Sequence, residues 1–298
     1  MPIMNILLRV ALVVALLIGA VVGLTVVIGR GFQADIITYV TNSMGYGDVM
    51  LLDMGRELRQ NLTQERSMDG APLWSPDGER IAFTSTRDGS YAIYTMKHNG
   101  SDVRILTTND GVNVPLYWTQ DGQQIGFRSL VEGVSGVYET SSNGSPRIVL
   151  WFSAVLAHAE WARDGRQIAF VRNISEGGFH LYLVNADNVE GEARLITEVG
   201  GYFVDLSWSP DDSHIAIISG SGTSGGFEID VIDVASGVRR RITTNSDYKA
   251  ELDWSPDGER IIYSAQNNLG LYDLYVMDAD GSNVRFVVDG SSPSWRPR

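Results

Sequence analysis

Five ionisable side chains stand at two fixed distances before repeated tryptophans, and they are the residues of this chain best placed to do chemistry. Residues two apart on a β-strand share one face, so side chains on neighbouring strands could converge. Carboxylate oxygens suit Ca²⁺ or Mg²⁺, and one imidazole excludes neither ion. The pattern predicts a metal cluster, with the polar wall of a channel as the alternative. The five residues are His158, Glu160, Asp205, Glu251 and Asp253.

The tryptophans that follow these residues begin near-copies of one phrase, which reads WSPDGERIAF in the first copy. Successive copies lie 41 to 47 residues apart. Periods of this length are typical of the four-stranded blades of β-propellers. The copies begin at Trp74, Trp118, Trp161, Trp208, Trp254 and Trp295.

Each copy divides into short β-branched or aromatic segments separated by turn residues. In the first copy, Pro76-Asp77-Gly78 and Asn99-Gly100 have turn chemistry. We find no amphipathic helical pattern of ten or more residues between these segments, so the fold class is all-β. The predicted strands are Pro72–Trp74, Arg80–Ser85, Tyr91–Met96 and Val103–Thr107.

Three strand-like segments also precede the first tryptophan, at Ile36–Val40, Asp48–Asp53 and Arg56–Thr63. The strand that would complete their blade is at the other end of the chain, at Pro293–Arg296. Pairing these ends removes unpaired edges from the ring. We therefore predict a six-bladed β-propeller over residues 32–298, in which three N-terminal strands are closed by one C-terminal strand.

The start of the chain has a different composition. Val10–Ile28 is apolar and uncharged between Arg9 and Arg30. A stretch of about 20 residues matches a bilayer core, and a cleaved signal usually has a shorter apolar region. We expect residues 1–31 to be a single transmembrane helix with the propeller outside the cytoplasm. The alternative is a secreted or periplasmic protein after signal cleavage.

Composition excludes several functions. The net charge is −13, and Lys97 and Lys249 are the only lysines, which argues against nucleic-acid binding. Cysteine is absent, so the chain has no disulfide, thiolate metal site or cysteine nucleophile. We expect no cofactor other than Ca²⁺ or Mg²⁺ bound in the channel.

The phrase WSPDGERIAFTS, followed by IYTM and an Asn-Gly turn, resembles the PD40 (WD40-like) repeat of TolB-like six-bladed propellers. The resemblance covers roughly residues 36–298. It does not extend to the α/β domain that precedes the propeller in TolB. It implies protein or peptide binding more often than catalysis.

Two functions follow as expectations. The first is a membrane-anchored scaffold that binds a protein or peptide in the cell envelope. The second is a metal-dependent lyase or hydrolase acting on a saccharide in the channel, with His158 and its acidic neighbours. Gly222–Gly226 fits Gly-x-Ser-x-Gly but lies in a Gly/Ser-rich loop, so we assign no catalysis to it.

Overall fold

The computed structural model describes residues 35–41, 47–107, 111–131, 134–141, 146–150, 156–174, 178–189, 191–220, 226–245 and 247–297. None of the secondary structure in these ranges is a helix long and apolar enough to span a membrane. The predicted anchor at residues 1–31 lies outside them. The described residues form 24 strands in six four-stranded sheets.

Each sheet is one blade, and the blades follow one another along the chain. Blade 1 contains β1 (Ile36–Val40), β2 (Val49–Asp53), β3 (Leu58–Asn61) and β24 (Ser291–Trp295). Blade 2 contains β4 (Asp69–Trp74), β5 (Arg80–Ser85), β6 (Ala92–Lys97) and β7 (Arg104–Ile105). Blade 3 contains β8 (Val112–Trp118), β9 (Gln124–Val131), β10 (Val134–Ser141) and β11 (Pro146–Leu150).

The other three blades repeat this order. Blade 4 contains β12 (Leu156–Trp161), β13 (Gln167–Ile174), β14 (Gly178–Asn185) and β15 (Arg194–Gly200). Blade 5 contains β16 (Tyr202–Trp208), β17 (His214–Gly220), β18 (Glu228–Asp233) and β19 (Arg239–Arg241). Blade 6 contains β20 (Lys249–Trp254), β21 (Arg260–Gln266), β22 (Tyr272–Asp278) and β23 (Arg285–Asp289).

The second strand of a blade is apolar on both faces because each face is covered by a neighbouring blade. In β17, Ile215 and Ile217 pack in a cluster with blade 4, whereas Ala216 and Ile218 pack in a cluster with blade 6. All four side chains are fully buried. This two-sided burial explains why the repeated phrase continues as an apolar run rather than an alternating one.

The hydrophobic core lies between the blades rather than at the centre of the ring. The described residues form six buried clusters, and each cluster joins one pair of neighbouring blades. Trp208, for example, lies in the cluster between blades 4 and 5, and Trp295 lies in the cluster between blades 6 and 1. Every blade therefore depends on both of its neighbours for the burial of its apolar side chains.

The chain ends meet in blade 1, as predicted. β24 pairs antiparallel with β1, with Ile37 opposite Trp295 and Thr38 opposite Ser294. The main-chain N–H of Arg296 also donates to the Ile36 carbonyl at 2.9 Å. The six-bladed fold with four-stranded blades is thus confirmed.

Two predicted strands of blade 2 differ from the structure by two or more residues at one end. The innermost strand is longer than Pro72–Trp74, because the ladder continues back to Asp69 past a bulge between Gly70 and Leu73. The fourth strand ends at Ile105 rather than Thr107. The reason is that the Thr107 hydroxyl accepts the hydrogen bond from the Ile93 N–H at 2.9 Å, in place of a main-chain carbonyl.

The innermost strands all run in one direction and define two faces of the ring. We call the face where they begin, with the loops between second and third strands, the upper face. The lower face carries the tight turns that follow the tryptophans and the turns between third and fourth strands. β1 is a second strand and runs antiparallel to β24, so it begins at the lower face.

Glycines in the turns between third and fourth strands make contacts between blades. Gly237 has φ of +72°, and a Cβ there would lie 2.6 Å from the Ile196 carbonyl oxygen of blade 4. Gly100 is similar, at 3.0 Å from the Leu62 carbonyl oxygen of blade 1. The Asn-Gly and Ser-Gly turns therefore serve ring packing as well as hairpin geometry.

We expect Gly237→Ala to destabilise the propeller more than Gly270→Ala does. Both residues have positive φ, which costs an alanine about 1–2 kcal/mol. Gly270, with φ of +78°, is the matched control because its nearest atom is the Gln266 side-chain amide at 3.8 Å. Thermal unfolding followed by circular dichroism measures both losses. Equal melting temperatures for the two variants would contradict the contact between blades.

Candidate functional site: the central channel

Two rings of side chains from the innermost strands line the central channel. Residues three before each tryptophan line an upper cavity of about 230 Å³. Residues one before each tryptophan line a larger lower cavity of about 670 Å³. The upper ring is Ala71, Pro115, His158, Asp205, Glu251 and Ser292. The lower ring is Leu73, Tyr117, Glu160, Ser207, Asp253 and Ser294.

The five ionisable residues singled out in the sequence thus lie in the channel wall, on two levels. His158, Asp205 and Glu251 belong to the upper ring, and Glu160 and Asp253 belong to the lower ring. Their positions follow from the repeat, because every blade places the same strand against the axis.

In the upper ring, the closest ionisable pair joins blades 4 and 5. His158 Nδ1 lies 3.5 Å from Asp205 Oδ1. The other carboxylate oxygen of Asp205 accepts a hydrogen bond from the Leu252 N–H of blade 6 at 3.0 Å. Asp205 therefore links three consecutive blades.

Glu251, the third ionisable residue of the upper ring, is held by hydroxyl groups. Ser264 donates to Glu251 Oε2, and Ser292 of blade 1 donates to Glu251 Oε1 at 3.4 Å. Both contacts fix the carboxylate without neutralising it.

In the lower ring, Asp253 joins blade 6 to three other blades. It accepts a hydrogen bond from the Trp295 N–H of blade 1 at 2.7 Å and one from the Ser207 hydroxyl of blade 5 at 3.3 Å. Arg163 of blade 4 reaches across the lower cavity to within 3.7 Å of Asp253 Oδ1. Asp253 is thus part of the packing of the ring.

The narrow channel shifts the titration of these groups. Burial raises the pKa of Asp205 and of Glu160 well above the usual range, and neighbouring carboxylates raise it further. Burial also raises the pKa of Asp253, against the opposing charge of Arg163. Burial and the positive charge of Arg128 lower the pKa of His158 to about 4. These shifts favour a neutral imidazole and protonated carboxyl groups.

The five residues do not gather around one point. Among the residues that the structure describes, no three His, Asp or Glu side chains are grouped so that they could hold a metal ion. Asp205 and Asp253 instead accept main-chain hydrogen bonds from the next blade. Ca²⁺ or Mg²⁺ binding by the channel cluster therefore stays a prediction, with His158 and Asp205 as its closest pair.

Two arginines in the channel were missed by the sequence reasoning. Arg163 lies in the lower-face turn of blade 4, and Arg128 comes from β9, the second strand of blade 3. A signal for Arg128 does exist, because it stands ten residues after its tryptophan, where blades 2 and 6 have the hydroxyl residues Thr84 and Ser264. Only the innermost strands were considered as channel wall, so this position was overlooked.

The Gly-x-Ser-x-Gly sequence at Gly222–Gly226 falls almost entirely outside the described residues. Its last residue, Gly226, is described and leads through Phe227 directly into β18. No catalytic role is assigned to this sequence.

The fold and channel define a six-bladed propeller built from one repeated phrase. A model of the PD40 family, described as the TolB beta propeller domain, matches residues 32–188, which is more than half of the chain. The chain therefore belongs to the TolB β-propeller family.

Solved structures share the fold at low sequence identity. TolB from Acinetobacter baumannii is 20% identical with a TM-score of 0.76, over 89% of this chain and 67% of that chain. An oligogalacturonate lyase in complex with manganese is 15% identical with a TM-score of 0.58, over 86% and 74%. A chain of the nidogen/laminin complex is 9% identical with a TM-score of 0.68, over 89% and 98%. These similarities show the architecture alone.

The raised pKa of Glu160 predicts that stability falls as pH rises. The folded protein holds a proton that the unfolded chain releases above its ordinary pKa of 4.5, so folding is favoured at low pH and loses this contribution as pH increases. Glu160→Gln removes the titration. We expect its melting temperature to exceed that of the wild type by roughly 3 °C or more at pH 8, with little difference at pH 5.

Glu259→Gln, in the exposed turn after Trp254, controls for the change in net charge. If the difference between Glu160→Gln and the wild type is the same at pH 5 and pH 8, Glu160 does not titrate as the channel geometry requires.

Proposed function

We propose that the protein is a membrane-anchored, extracytoplasmic scaffold that binds a protein or peptide partner on its upper face. The main support is a group of seven exposed large apolar side chains on that face; the other seven among the described residues are spread over the lower-face turns and the outer strands. Family membership supports the scaffold, and the direction in which the chain enters the propeller supports the choice of face.

The upper face carries exposed large apolar side chains on blades 2, 3, 5 and 6. Isolated exposed apolar residues are ordinary, but several on one face favour a recognition surface. Tyrosine is also enriched at protein interfaces. These residues are Met68, Tyr91, Val112, Tyr202, Tyr248, Leu269 and Leu271, of which Leu269 is 83% exposed.

The N-terminal end of the propeller lies at the lower face. Asp35, immediately before β1, forms a bidentate ion pair with Arg260 at 2.7 and 2.9 Å, and Arg260 follows the lower-face turn of blade 6. Residues 29–34 separate Asp35 from the apolar segment, and so short a linker reaches at most roughly 25 Å. An anchor at residues 1–31 would therefore hold the lower face near the bilayer and leave the upper face accessible.

The channel geometry favours binding over catalysis. Asp205 and Asp253 are engaged in hydrogen bonds between blades. A six-bladed propeller can host either function, so the site must decide between them. Asp205 and Asp253 each accept a main-chain hydrogen bond from the next blade, which supports a structural role for these two carboxylates.

A metal-dependent saccharide lyase is the second candidate. The contact between His158 and Asp205 at the upper cavity favours it, as does the fold shared with the manganese-bound oligogalacturonate lyase. The lyase ranks second because, within the described residues, no third metal-binding group lies beside His158 and Asp205.

Affinity capture tests the scaffold. The tagged full chain in detergent would be incubated with solubilised native membranes, and captured proteins identified by mass spectrometry. We expect a saturable partner whose recovery falls at least ten-fold with Tyr202→Ser/Leu269→Ser on the upper face. The matched control is Val238→Ser/Val284→Ser, which changes two comparably exposed residues that follow lower-face turns.

Recovery that is equal for the two double variants would exclude the upper face as the binding surface. No saturable protein partner would contradict the scaffold, and metal and saccharide screens centred on His158 would then follow.

A further inference from the structure

The upper cavity combines apolar walls with a few charged groups. Sites for small molecules typically have this composition, in which apolar walls supply contact area and a few polar groups fix the orientation of the ligand. Its apolar walls include Leu73, Val114, Leu116, Val137 and Leu252, and its charged or titratable groups are Arg128, His158, Asp205 and Glu251.

The charged groups are separated by sign around the ring. In a six-membered ring, blade 3 is opposite blade 6, so Arg128 and Glu251 approach the cavity from opposite sides. Asp205, on blade 5, is beside Glu251 on the acidic side. Arg128 is exposed to solvent and lines the cavity. The cavity therefore has one cationic and one anionic side.

Neither Arg128 nor Glu251 is neutralised by an oppositely charged side chain of the described residues. Most other arginines of known environment are paired, as in Arg80 with Asp102 and Arg87 with Asp69. The main chain of Arg128 pairs with β8 and β10, but its side chain has no ion pair or hydrogen bond with any described residue. The Glu251 carboxylate accepts hydrogen bonds from the Ser264 and Ser292 hydroxyls, and its main-chain N–H donates to the Ser264 hydroxyl. Both charges are available to a ligand.

We propose that the upper cavity binds a small zwitterion with an apolar side chain, namely a free α-amino acid of about the size of leucine. Its carboxylate would bind the Arg128 guanidinium, its ammonium group would bind Glu251, and its side chain would pack against Val114 and Leu252. A planar guanidinium suits a carboxylate because it can form two parallel hydrogen bonds.

The size of the cavity fits this ligand. A cavity of about 150 Å³ holds one benzene molecule, so about 230 Å³ holds a somewhat larger ligand. Glu251 is assigned to the ammonium group because burial raises the pKa of Asp205, which favours the neutral form of that residue. The site stands on the cavity and its charges and does not rest on the proposed scaffold function.

Calorimetric titration of the full chain in detergent with leucine tests the proposal. Two analogues each lack one charge: 4-methylpentanoate has no ammonium group, and 3-methylbutylamine has no carboxylate. We expect saturable binding of leucine, and binding at least ten-fold weaker for each analogue, because each loses one charge-assisted contact.

Arg128→Gln should weaken leucine binding at least ten-fold and leave the affinity for 3-methylbutylamine unchanged. Arg172→Gln is the matched control, since Arg172 is an exposed arginine on the second strand of blade 4 that contacts Phe170 and Tyr182 and does not line the cavity. Its affinity for leucine should equal that of the wild type.

Absence of leucine binding up to about 10 mM, a concentration at which even a weak complex would be populated, would overturn the proposal. So would leucine binding that is unchanged by Arg128→Gln. Because the readout is a small-molecule affinity, either result is distinguishable from the outcome of the capture experiment.

Discussion

Closure of the ring is the constraint on which the rest of this structure depends. Each blade has apolar side chains on both faces, and each face is buried only when the neighbouring blade is in place. The ladder between β24 and β1 supplies the last of these contacts from the two ends of the propeller. Trp295 then completes the cluster between blades 6 and 1.

One ion pair and two cation–π contacts around this junction support the same closure. Asp35 and Arg260 connect the start of β1 to blade 6, and the Arg260 guanidinium lies 5.1 Å from the centre of the Trp295 ring. Arg296 likewise lies over Trp74 of blade 2 at 5.3 Å. Residues distant in sequence thus fix blade 1 between its two neighbours, and the channel exists because they do.

The channel shows how structural and functional demands overlap in the same residues. Asp205 and Asp253 line the channel, yet each accepts a main-chain hydrogen bond from the next blade. Burying a carboxylate is costly unless it is hydrogen-bonded or protonated, and the raised pKa of both groups reflects this. A side chain without such a role between blades, such as that of Arg128, is therefore a better indicator of ligand recognition than Asp205 or Asp253.

The sequence predicted most of the fold because its signals are local and repeated. Strand Arg80–Ser85 and the closure by the C-terminal strand follow from turn residues and periodicity, and both were found as expected. The positions of His158 and Asp205 in the channel wall also follow from the repeat. Their hydrogen-bond partners do not, since these depend on bulges in the innermost strands that no local pattern indicates.

The contribution of Arg128 was missed for a similar reason. Arg128 is on a second strand, whose side chains can face either a neighbouring blade or the channel. Only the three-dimensional packing shows that the Arg128 side chain faces the channel. The anchor at residues 1–31 and metal binding by the channel cluster stay predictions, because one lies outside the described residues and the other needs an ion to be tested.

Deletion of residues 291–298 tests ring closure most directly, with deletion of 297–298 as the control that keeps β24 intact. The account predicts that the longer deletion exposes β1, lowers the melting temperature markedly and causes aggregation, whereas the control unfolds like the full chain. A monomeric protein without residues 291–298 that melts at the wild-type temperature would contradict the closed six-bladed ring.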